Sequence, residues 1–421
     1  MSSNLAGCAI FGLAFTLSSP PRLTSDHRRA IALLSVAAAA SAASARMCDP
    51  MLPEIARSFS TSPGDTALVV SGFMVAYGLA QALFGPSGDR FGKVRVIAFT
   101  CLASTVGTLG AALAGGLSQL VAARVLMGLA AAGIIPLSMA WIGDTVGYQQ
   151  RQATLARFLT GQIAGIIGGQ FVGGLFTDML GWRWAFAFVC AIYLAIGVAL
   201  LAECGKNPVI RAFPPSASGQ SAFLAQLAMV LRTGWARVVI AIVFLEGAAV
   251  FGPLAFVPSH LHGRFGLDLT TAGALMGLFG IGGLSYILFA PFLVRRLGEV
   301  GLSLVGGLLI AAAWAIIAFA GGWQWALPAS YLAGLGYYML HNTLQTNATQ
   351  MVHQARGTAV ALFASSFFLG QSLGVALAAA LLARLGAVAV YGSAALTLPL
   401  VGALFSALLR RRAQQQAETA G

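Results

Sequence analysis

The chain has 421 residues, of which 58% are hydrophobic and only 9% are charged. Soluble domains carry about 25% charged residues, so this composition excludes a water-soluble protein and predicts a chain whose solvent is the lipid bilayer. The net charge of +12 does not require a nucleic-acid partner, because Lys and Arg collect in the cytoplasmic loops of membrane proteins.

Residues 1–29 hold an apolar stretch that is too short to cross a membrane, and we interpret them as a cytoplasmic tail. Twelve apolar segments follow, each of about 20 residues or more, which is enough to span a hydrocarbon layer of about 30 Å as a helix. Their predicted limits are 30–50, 65–86, 94–114, 117–141, 153–176, 183–203, 237–258, 269–293, 301–320, 324–350, 357–381 and 384–409. The sequence therefore predicts an all-α integral membrane protein with twelve transmembrane helices.

Basic residues are distributed unevenly between the two sets of loops. The N-terminus, every second loop and the C-terminus hold 18 of the 24 Lys and Arg residues, the other loops hold four, and the spans hold two. The positive-inside rule then places both termini in the cytoplasm. We expect a multi-pass protein of the cell inner membrane.

The longest predicted loop lies at the middle of the chain, is rich in proline, and ends in an amphipathic piece near Phe223–Leu231. We interpret it as a cytoplasmic linker with a helix on the membrane surface. The predicted parts are the tail 1–29, the N-terminal six-helix half 30–203, the linker 204–236, the C-terminal six-helix half 237–409 and the tail 410–421.

The two halves carry matching short motifs. The pattern at Gly161–Gly165 recurs at Gly370–Gly374, 209 positions later (370 − 161), and Arg90–Gly92 recurs in similar form at Arg296–Gly298, 206 positions later (296 − 90). Two weak matches at nearly one offset argue for a duplicated six-helix unit, which is common in transporters.

A dense cluster of charge lies between the second and third spans. Its spacing, Gly-x-x-x-Asp-Arg-x-Gly-Lys, is formed by Gly85, Asp89, Arg90, Gly92 and Lys93. We expect a short, tight loop there, because long apolar segments flank the cluster on both sides. The spacing resembles the signature of the major facilitator superfamily of transporters, which lies between helices two and three on the cytoplasmic face. A basic loop that only sets topology is the alternative interpretation.

Two motifs inside the spans resemble the same superfamily. Arg124 lies in a Leu-x-x-x-Arg-x-x-x-Gly pattern of span four, where the family has a buried arginine linked to proton movement. Span five carries Gly165, Gly169, Gly173 and Gly174 in the spacing of the antiporter motif, with glutamine in place of its proline. Plain helix packing is the alternative explanation of these glycines.

The resemblance covers residues 30–409 and is greatest to the drug/proton antiporter group. It implies two pseudo-symmetric halves, with helices one, four, seven and ten around a central cavity. It also implies a small-molecule substrate, protons as the coupled ion, the proton gradient as energy source, no cofactor, and a monomer in the bilayer.

The loop cluster has a mechanical interpretation. Asp89 is placed to cap a neighbouring helix N-terminus, and Lys93 is placed to reach Asp144 at the end of span four. Such contacts would hold the halves in an outward-open state, so we predict a conformational gate. Its residues are Gly85, Asp89, Arg90, Gly92, Lys93 and Asp144.

Charges inside the spans mark functional candidates, since each costs about 2.5 kcal/mol or more to place in a bilayer. One ionisable residue falls on each expected cavity helix: Arg46, Arg124, Glu246 and His341. Glu246 has no charged neighbour along the chain and is the best candidate for carrying a proton. Asp49 can pair with Arg46 through an i,i+3 contact, and a structural pair at a helix end is the alternative there.

Span ten is unusually polar around His341. Asn342 and Gln345 suit a wet cavity, and Tyr337 is placed to stack on a substrate. Helix packing is the alternative role of the tyrosine and of the histidine.

The sequence contains no recognisable catalytic constellation and no nucleotide-binding loop, which argues against an enzyme and an ATP-driven pump. We expect a secondary transporter that exports a small organic molecule by proton-coupled alternating access. Uptake or facilitated passage of a small anion is the alternative within that class, favoured by Arg46 and Arg124. A membrane-embedded enzyme is the alternative from another class.

Overall fold

The structure is a computed structural model that describes residues 23–212 and 220–420, so most of the predicted tail 1–29 lies outside it. The chain folds into helices joined by short connections. The α-helices are, in chain order, α1 (Ser25–Arg46), α2 (Leu52–Phe59), α3 (Pro63–Phe91), α4 (Lys93–Ala112), α5 (Leu117–Ala131), α6 (Ile134–Thr145), α7 (Tyr148–Met179), α8 (Trp182–Lys206), α9 (Pro208–Arg211), α10 (Gln220–Arg232), α11 (Gly234–Leu254), α12 (Val257–Phe265), α13 (Leu269–Leu275), α14 (Gly277–Phe319), α15 (Ala326–Gln350), α16 (Arg356–Leu385) and α17 (Ala387–Ala420). Short 3₁₀ turns, Trp323–Trp325 and His353–Ala355, precede α15 and α16.

Nine helical stretches of the described residues are long and apolar enough to cross a membrane. One of them, Leu269–Phe319, is interrupted at Gly298 and has the length of two crossings. α1 and α15, with 22 and 25 residues, also have the length of a crossing but are less apolar. Counting Leu269–Phe319 as two crossings and adding α1 and α15 gives twelve, the predicted number. The count itself stays a prediction.

The loop predicted at Gly85–Arg95 is reduced to a single residue. α3 continues to Phe91, α4 begins at Lys93, and the chain turns at Gly92 with a φ of 90°. Gly298 turns the chain inside α14 at a φ of 59°. Positive φ is a conformation that glycine adopts readily, so one glycine suffices and the predicted loop length was wrong.

The bundle has two distinguishable ends. We call the end with Gly92, Gly298 and α10 the linker side, and the opposite end, with α2, the far side. α2 is a short helix that the sequence prediction missed, and it follows α1, which ends at Arg46 and not at residue 50. The predicted surface helix near Phe223–Leu231 is present as α10, and the linker residues 213–219 lie outside the described residues.

The two halves repeat the same close helix contact. A Cβ built on Gly165 of α7 would lie 2.3 Å from the carbonyl oxygen of Ala39 in α1. A Cβ on Gly374 of α16 would lie 2.2 Å from the carbonyl oxygen of Ala248 in α11. Each C-terminal residue lies 209 positions after its counterpart (374 − 165 and 248 − 39), which supports the predicted duplication.

Contacts between the halves lie at mid-height and on the far side. Ser372 Oγ donates to the carbonyl oxygen of Ser71 at 3.1 Å, and the rings of Tyr77 and Phe368 lie 4.4 Å apart between centroids. Phe256, from the C-terminal half, is part of the apolar core of the N-terminal half. The far side is therefore sealed by apolar packing of Phe256, α16 and α17 against the N-terminal helices.

Candidate functional site

Arg46, at the end of α1, joins the two halves. Its Nη1 lies 3.7 Å from Asp49 Oδ2, its Nη2 donates to Gln371 Oε1 of α16, and its guanidinium carbon lies 4.2 Å from the centre of the Phe251 ring. The side chain of Arg46 is 5% exposed and that of Asp49 is fully buried. The expected i,i+3 pair is present, but Arg46 also holds the opposite half, so it is more than a pair at a helix end.

Arg124 lies inside the N-terminal half and not between the halves. Its Nε donates to the carbonyl oxygen of Val69 at 3.0 Å, and its Nη1 donates to that of Ser44 at 2.8 Å. The side chain is completely buried against the Phe73 ring. In this position Arg124 ties α5 to α1 and α3, and its role as a cavity or proton-coupling residue stays a prediction. Electrostatically, Asp49 interacts with both Arg46 and Arg124.

Glu246 and His341 form a second buried pair, within the C-terminal half. Glu246 Oε2 lies 2.8 Å from His341 Nδ1, across from α11 to α15. Glu246 is completely buried, and its Oε1 has no hydrogen-bond partner among the described residues. The side chain of His341 is 15% exposed. A buried carboxylate that touches a partly exposed imidazole has a route for exchanging a proton.

Aromatic rings connect the two pairs. The Phe251 ring, which carries Arg46 on its face, meets Tyr337 edge-on with centroids 5.0 Å apart. Tyr337 in turn stacks on His341 at 4.9 Å, and Phe367 packs on His341 at 4.7 Å. Tyr337 is only 6% exposed, so in this conformation it packs against neighbouring rings instead of lining open space.

The polar residues of α15 point in different directions. Asn342 is exposed, and its Nδ2 donates to Tyr286 Oη at 2.9 Å. Gln345 is exposed as well, one turn beyond His341 toward the linker side. His341 and Gln345 lie on one face of α15, which fits the expected wet cavity, while Asn342 ties α15 to α14.

The predicted gate forms a cluster around Lys93. Lys93 Nζ lies 2.9 Å from Asp89 Oδ1 and 2.9 Å from Asp144 Oδ2, and all three side chains are partly exposed. Asp89 thus pairs with Lys93, whereas the expected helix cap is not among the described hydrogen bonds. All three residues belong to the N-terminal half, so the cluster joins α3, α4 and α6 and does not bridge the halves. In this conformation it therefore does not hold the halves together in an outward-open state, as was expected of the gate. Arg90 lies over the Phe91 ring at 5.1 Å, and Gly85 has no neighbour close to a built Cβ.

The glycines of α7 permit two close contacts. Gly165, Gly169 and Gly173 face the backbone of α1 and of the residue that follows it, where built Cβ atoms would lie 2.1 to 2.6 Å from main-chain atoms. Gly174 faces the other half, with a built Cβ 2.2 Å from the carbonyl oxygen of Leu269 in α13. Gln170, where the antiporter motif has proline, is buried on the same helix. The packing explanation of these glycines is therefore correct, and a further role stays a prediction.

Gln371 and Phe251 are site residues that no pattern in the sequence singled out. Gln371 was visible only as part of a repeated motif, and its counterpart 209 positions earlier (371 − 162), Gln162, makes no comparable contact to an arginine among the described residues. A buried glutamine on a small-residue face of an apolar helix was the available signal, because such a side chain needs a partner.

Comparison with known proteins gives one consistent family. The family described as Major Facilitator Superfamily matches residues 34–363. The uncharacterized MFS-type transporter YwfA of Bacillus subtilis is 24% identical over 329 residues, 78% of this chain and 79% of that protein. The efflux pump radE of Floropilus chiversii is 26% identical over 177 residues, 41% of this chain and 33% of that protein. The crystal structure of the nucleoside transporter NupG, a mutant form, has a TM-score of 0.75 at 14% identity and covers 90% of this chain and 99% of that chain.

Proposed function

Because the chain belongs to the Major Facilitator Superfamily, it is a membrane transporter and not an enzyme, and we propose that it exports a small organic molecule in exchange for protons. In this proposal the proton gradient supplies the energy, no cofactor takes part, and the protein acts as a monomer. It lies in the cell inner membrane with both termini in the cytoplasm, as the excess of Lys and Arg on one side supports.

The Glu246–His341 pair is the observation that carries proton coupling. A carboxylate without water around it is costly when charged, so Glu246 is stabilised either by a proton of its own or by a proton on His341. Oε1 has no hydrogen-bond partner among the described residues, so it can accept a hydrogen bond from a substrate or take up a proton itself. Substrate and proton then compete for the same carboxylate, so the release of one makes room for the other.

Alternating access requires that one side of the bundle be closed while the other is open. The apolar seal on the far side, together with the partly exposed His341 and the exposed Gln345, supports a conformation that is open toward the linker side. With the linker in the cytoplasm, this is the inward-open form, in which an exporter loads its substrate. The partial similarity to a protein named as an efflux pump also favours export.

A second candidate is the uptake or facilitated passage of a small anion, and Arg46 favours it. Arg46 spans the two halves through its hydrogen bond to Gln371. An anion that displaced the neutral amide of Gln371 would bind the guanidinium more strongly than the amide does. Asp49 weighs against this candidate, because its buried carboxylate already faces the same guanidinium at 3.7 Å.

The test of proton coupling uses proteoliposomes with and without a pH gradient. Substrates are first found by screening toxic compounds in a host that lacks its own efflux pumps. Glu246→Gln should abolish pH-driven accumulation while it keeps exchange of substrate between compartments of equal pH, because glutamine resembles the protonated carboxyl group. Glu54→Gln, at a carboxylate of α2 on the far side that pairs with Arg57, is the matched control and should behave as the unaltered protein.

Accumulation by Glu246→Gln at the unaltered rate would exclude Glu246 as the coupling site. Transport that ignores the pH gradient in the unaltered protein but stops in Arg46→Gln would favour anion passage instead. Proteoliposomes that convert a compound without moving it would contradict transport altogether.

A further inference from the structure

The helix α10 ends where a crossing begins. Only Thr233 separates its last residue, Arg232, from the start of α11, which is one of the apolar stretches long enough to cross a membrane. With 13 residues α10 has a length of about 20 Å, too short for a hydrocarbon layer of about 30 Å. It therefore lies at the edge of the hydrocarbon layer on the linker side and does not cross it.

One face of α10 is held against the C-terminal half. Val230 is fully buried in the apolar core of that half. Gln226 Oε1 accepts a hydrogen bond of 2.7 Å from Thr358 Oγ1, in the first turn of α16. The helix also contacts α11 and the 3₁₀ turn His353–Ala355. These contacts decide which face of α10 points away from the protein.

The outward face of α10 is apolar. Leu224, Met229 and Leu231 are 63%, 41% and 47% exposed, and Ala225 and Ala228 are exposed as well. Large apolar side chains on a surface favour burial, and the boundary between lipid headgroups and acyl chains provides it. The helix thus turns its hydrogen-bonded glutamine toward the protein and its apolar side chains outward, as a helix that rests in lipid does.

Three exposed arginines lie on or beside α10. Arg232 ends the helix, Arg237 lies in the first turn of α11, and Arg356 begins α16, directly after the 3₁₀ turn that α10 contacts. None of the three forms an ion pair with a carboxylate of the described residues. Residues 220–245 and 347–385, which include α10, the 3₁₀ turn and the starts of α11 and α16, contain no Asp or Glu. The surface around α10 is therefore positively charged and complementary to an anion.

We propose that α10 and these arginines bind anionic phospholipids in the leaflet on the linker side. The acyl chains cover Leu224 and the other apolar residues of the outward face, and the phosphate groups pair with the three guanidinium groups, which suit phosphate oxygens in geometry and charge. A zwitterionic phospholipid carries a positive charge beside its phosphate, so it is attracted less. Each arginine near an anionic membrane surface strengthens binding about fivefold.

Photochemical crosslinking tests this contact in the unaltered protein. Proteoliposomes of phosphatidylcholine receive a small amount of either phosphatidylglycerol or phosphatidylcholine that carries a photoreactive group on its acyl chain, close to the headgroup. Trypsin cleaves after Arg211 and Arg232, so residues 212–232 form one peptide that contains all of α10. We expect label on this peptide from both lipids, with about fivefold more or better from phosphatidylglycerol. A peptide without label, or equal label from the two lipids, would overturn the proposal.

Two variants test whether the arginines select the lipid. Arg237→Gln and Arg356→Gln should each reduce the excess of phosphatidylglycerol label about fivefold, and neither substitution changes the ends of the peptide. Arg157→Gln, at an exposed arginine of α7 in the N-terminal half, is the control and should leave the excess unchanged. An excess that survives in both variants would contradict the assignment.

The two variants differ in their structural risk. Arg356 Nε donates to the carbonyl oxygen of Thr349 at 2.8 Å, so Arg356→Gln is first checked by thermal unfolding. Arg237→Gln decides the question alone if the Arg356 variant does not fold. The contact with lipid involves neither Glu246 nor the transported compound, so a failure of proton coupling leaves this proposal standing.

Discussion

At the scale of single residues, the buried charges form two groups with different partners. Arg46, Asp49 and Arg124 lie in the N-terminal half, while Glu246 and His341 lie in the C-terminal half. Of these, Arg46 reaches across the interface, through Gln371. A hydrogen bond to a charged group contributes about 1.5–3 kcal/mol, which is enough to bias the balance between two conformations.

We predict that Gln371→Leu weakens the closed far side. The substitution removes the acceptor of Arg46 Nη2 but keeps a side chain of similar size, so the loss of about 1.5–3 kcal/mol falls on the contact between the halves. Thermal unfolding of the detergent-solubilised protein should begin at a lower temperature. Gln162→Leu, at the equivalent position of the first half, is the control, and an equal loss in both variants would show that the cross-half bond is not responsible.

At the scale of helices, main-chain contact between α1 and α7 explains the glycines of the fifth crossing. Gly169 lies against Ala43, with a built Cβ 2.6 Å from the Cα atom, whereas its neighbour Gly168 has no atom within 4 Å of a built Cβ. The two positions share a helix and a sequence context but differ in packing. They therefore allow packing and helix propensity to be measured separately.

We predict opposite effects of alanine at these two positions. Gly169→Ala should lower the free energy of unfolding by about 1–3 kcal/mol, because the added methyl group forces α1 away from α7. Gly168→Ala should be neutral or stabilise by up to about 1 kcal/mol, because alanine favours a helix more than glycine does. Denaturation curves of the two variants measure both free energies of unfolding. A lower free energy of unfolding at both positions would contradict the packing explanation.

The Lys93 cluster also acts at the scale of helices, because it joins α3, α4 and α6. Its ion pairs are partly exposed, so each contributes about 1 kcal/mol or less to stability. We predict that Asp89→Asn leaves the protein folded and inserted but slows transport, since the cluster sets the relative position of three helices. Asp65→Asn, at the opposite end of α3, is the control for transport assays in proteoliposomes. An unaltered transport rate in well-expressed Asp89→Asn would show that the cluster has no role in the transport cycle.

At the scale of the whole molecule, hydrogen bonds of one aspartate, Asp178, join the two halves on the far side. Asp178 of α7 accepts hydrogen bonds from the backbone of Leu269 at 3.3 Å, and from the backbone and hydroxyl of Thr270 at 2.7 and 2.6 Å. These bonds join the first half to the start of α13 in the second. Asp268 caps the same helix from within its own half, through Thr271.

We predict that Asp178→Ala opens the far side in a larger share of molecules. Distances between spin labels on α2 and α12 should shift to longer values, because three bonds between the halves are lost. Asp268→Ala weakens the same helix start without breaking a bond between the halves, so it should leave the distances unchanged. Equal distances in Asp178→Ala and the unaltered protein would show that the Asp178 hydrogen bonds do not hold the far side closed.

Membrane orientation is a second prediction for the whole molecule. A reporter that works only in the cytoplasm should be active when fused after Gly92 or within 206–220, and inactive within 259–268. The reverse pattern would contradict the proposed orientation in the membrane, and with it the proposed direction of transport.

The sequence by itself determined the class of fold and the order of the helices. Hydropathy is a local property, because a bilayer requires about 20 apolar residues in every crossing wherever the crossing packs. Repeated glycine motifs and the Asp89–Lys93 spacing are also local, and they led to the family. Span limits were less accurate, as at α1 and α2, because a helix end depends on turn geometry as much as on hydropathy.

Only the tertiary structure decided which buried charges meet. Glu246 and His341 are 95 positions apart, and Arg46 and Gln371 are 325 positions apart, so no spacing along the chain could pair them. Rotation of each helix about its axis decides whether a charged residue faces the interface, as Arg46 does, or its own half, as Arg124 does. That rotation results from the packing of all neighbouring helices at once, so the sequence could not show which contacts Arg124 makes or that Gln371 meets Arg46.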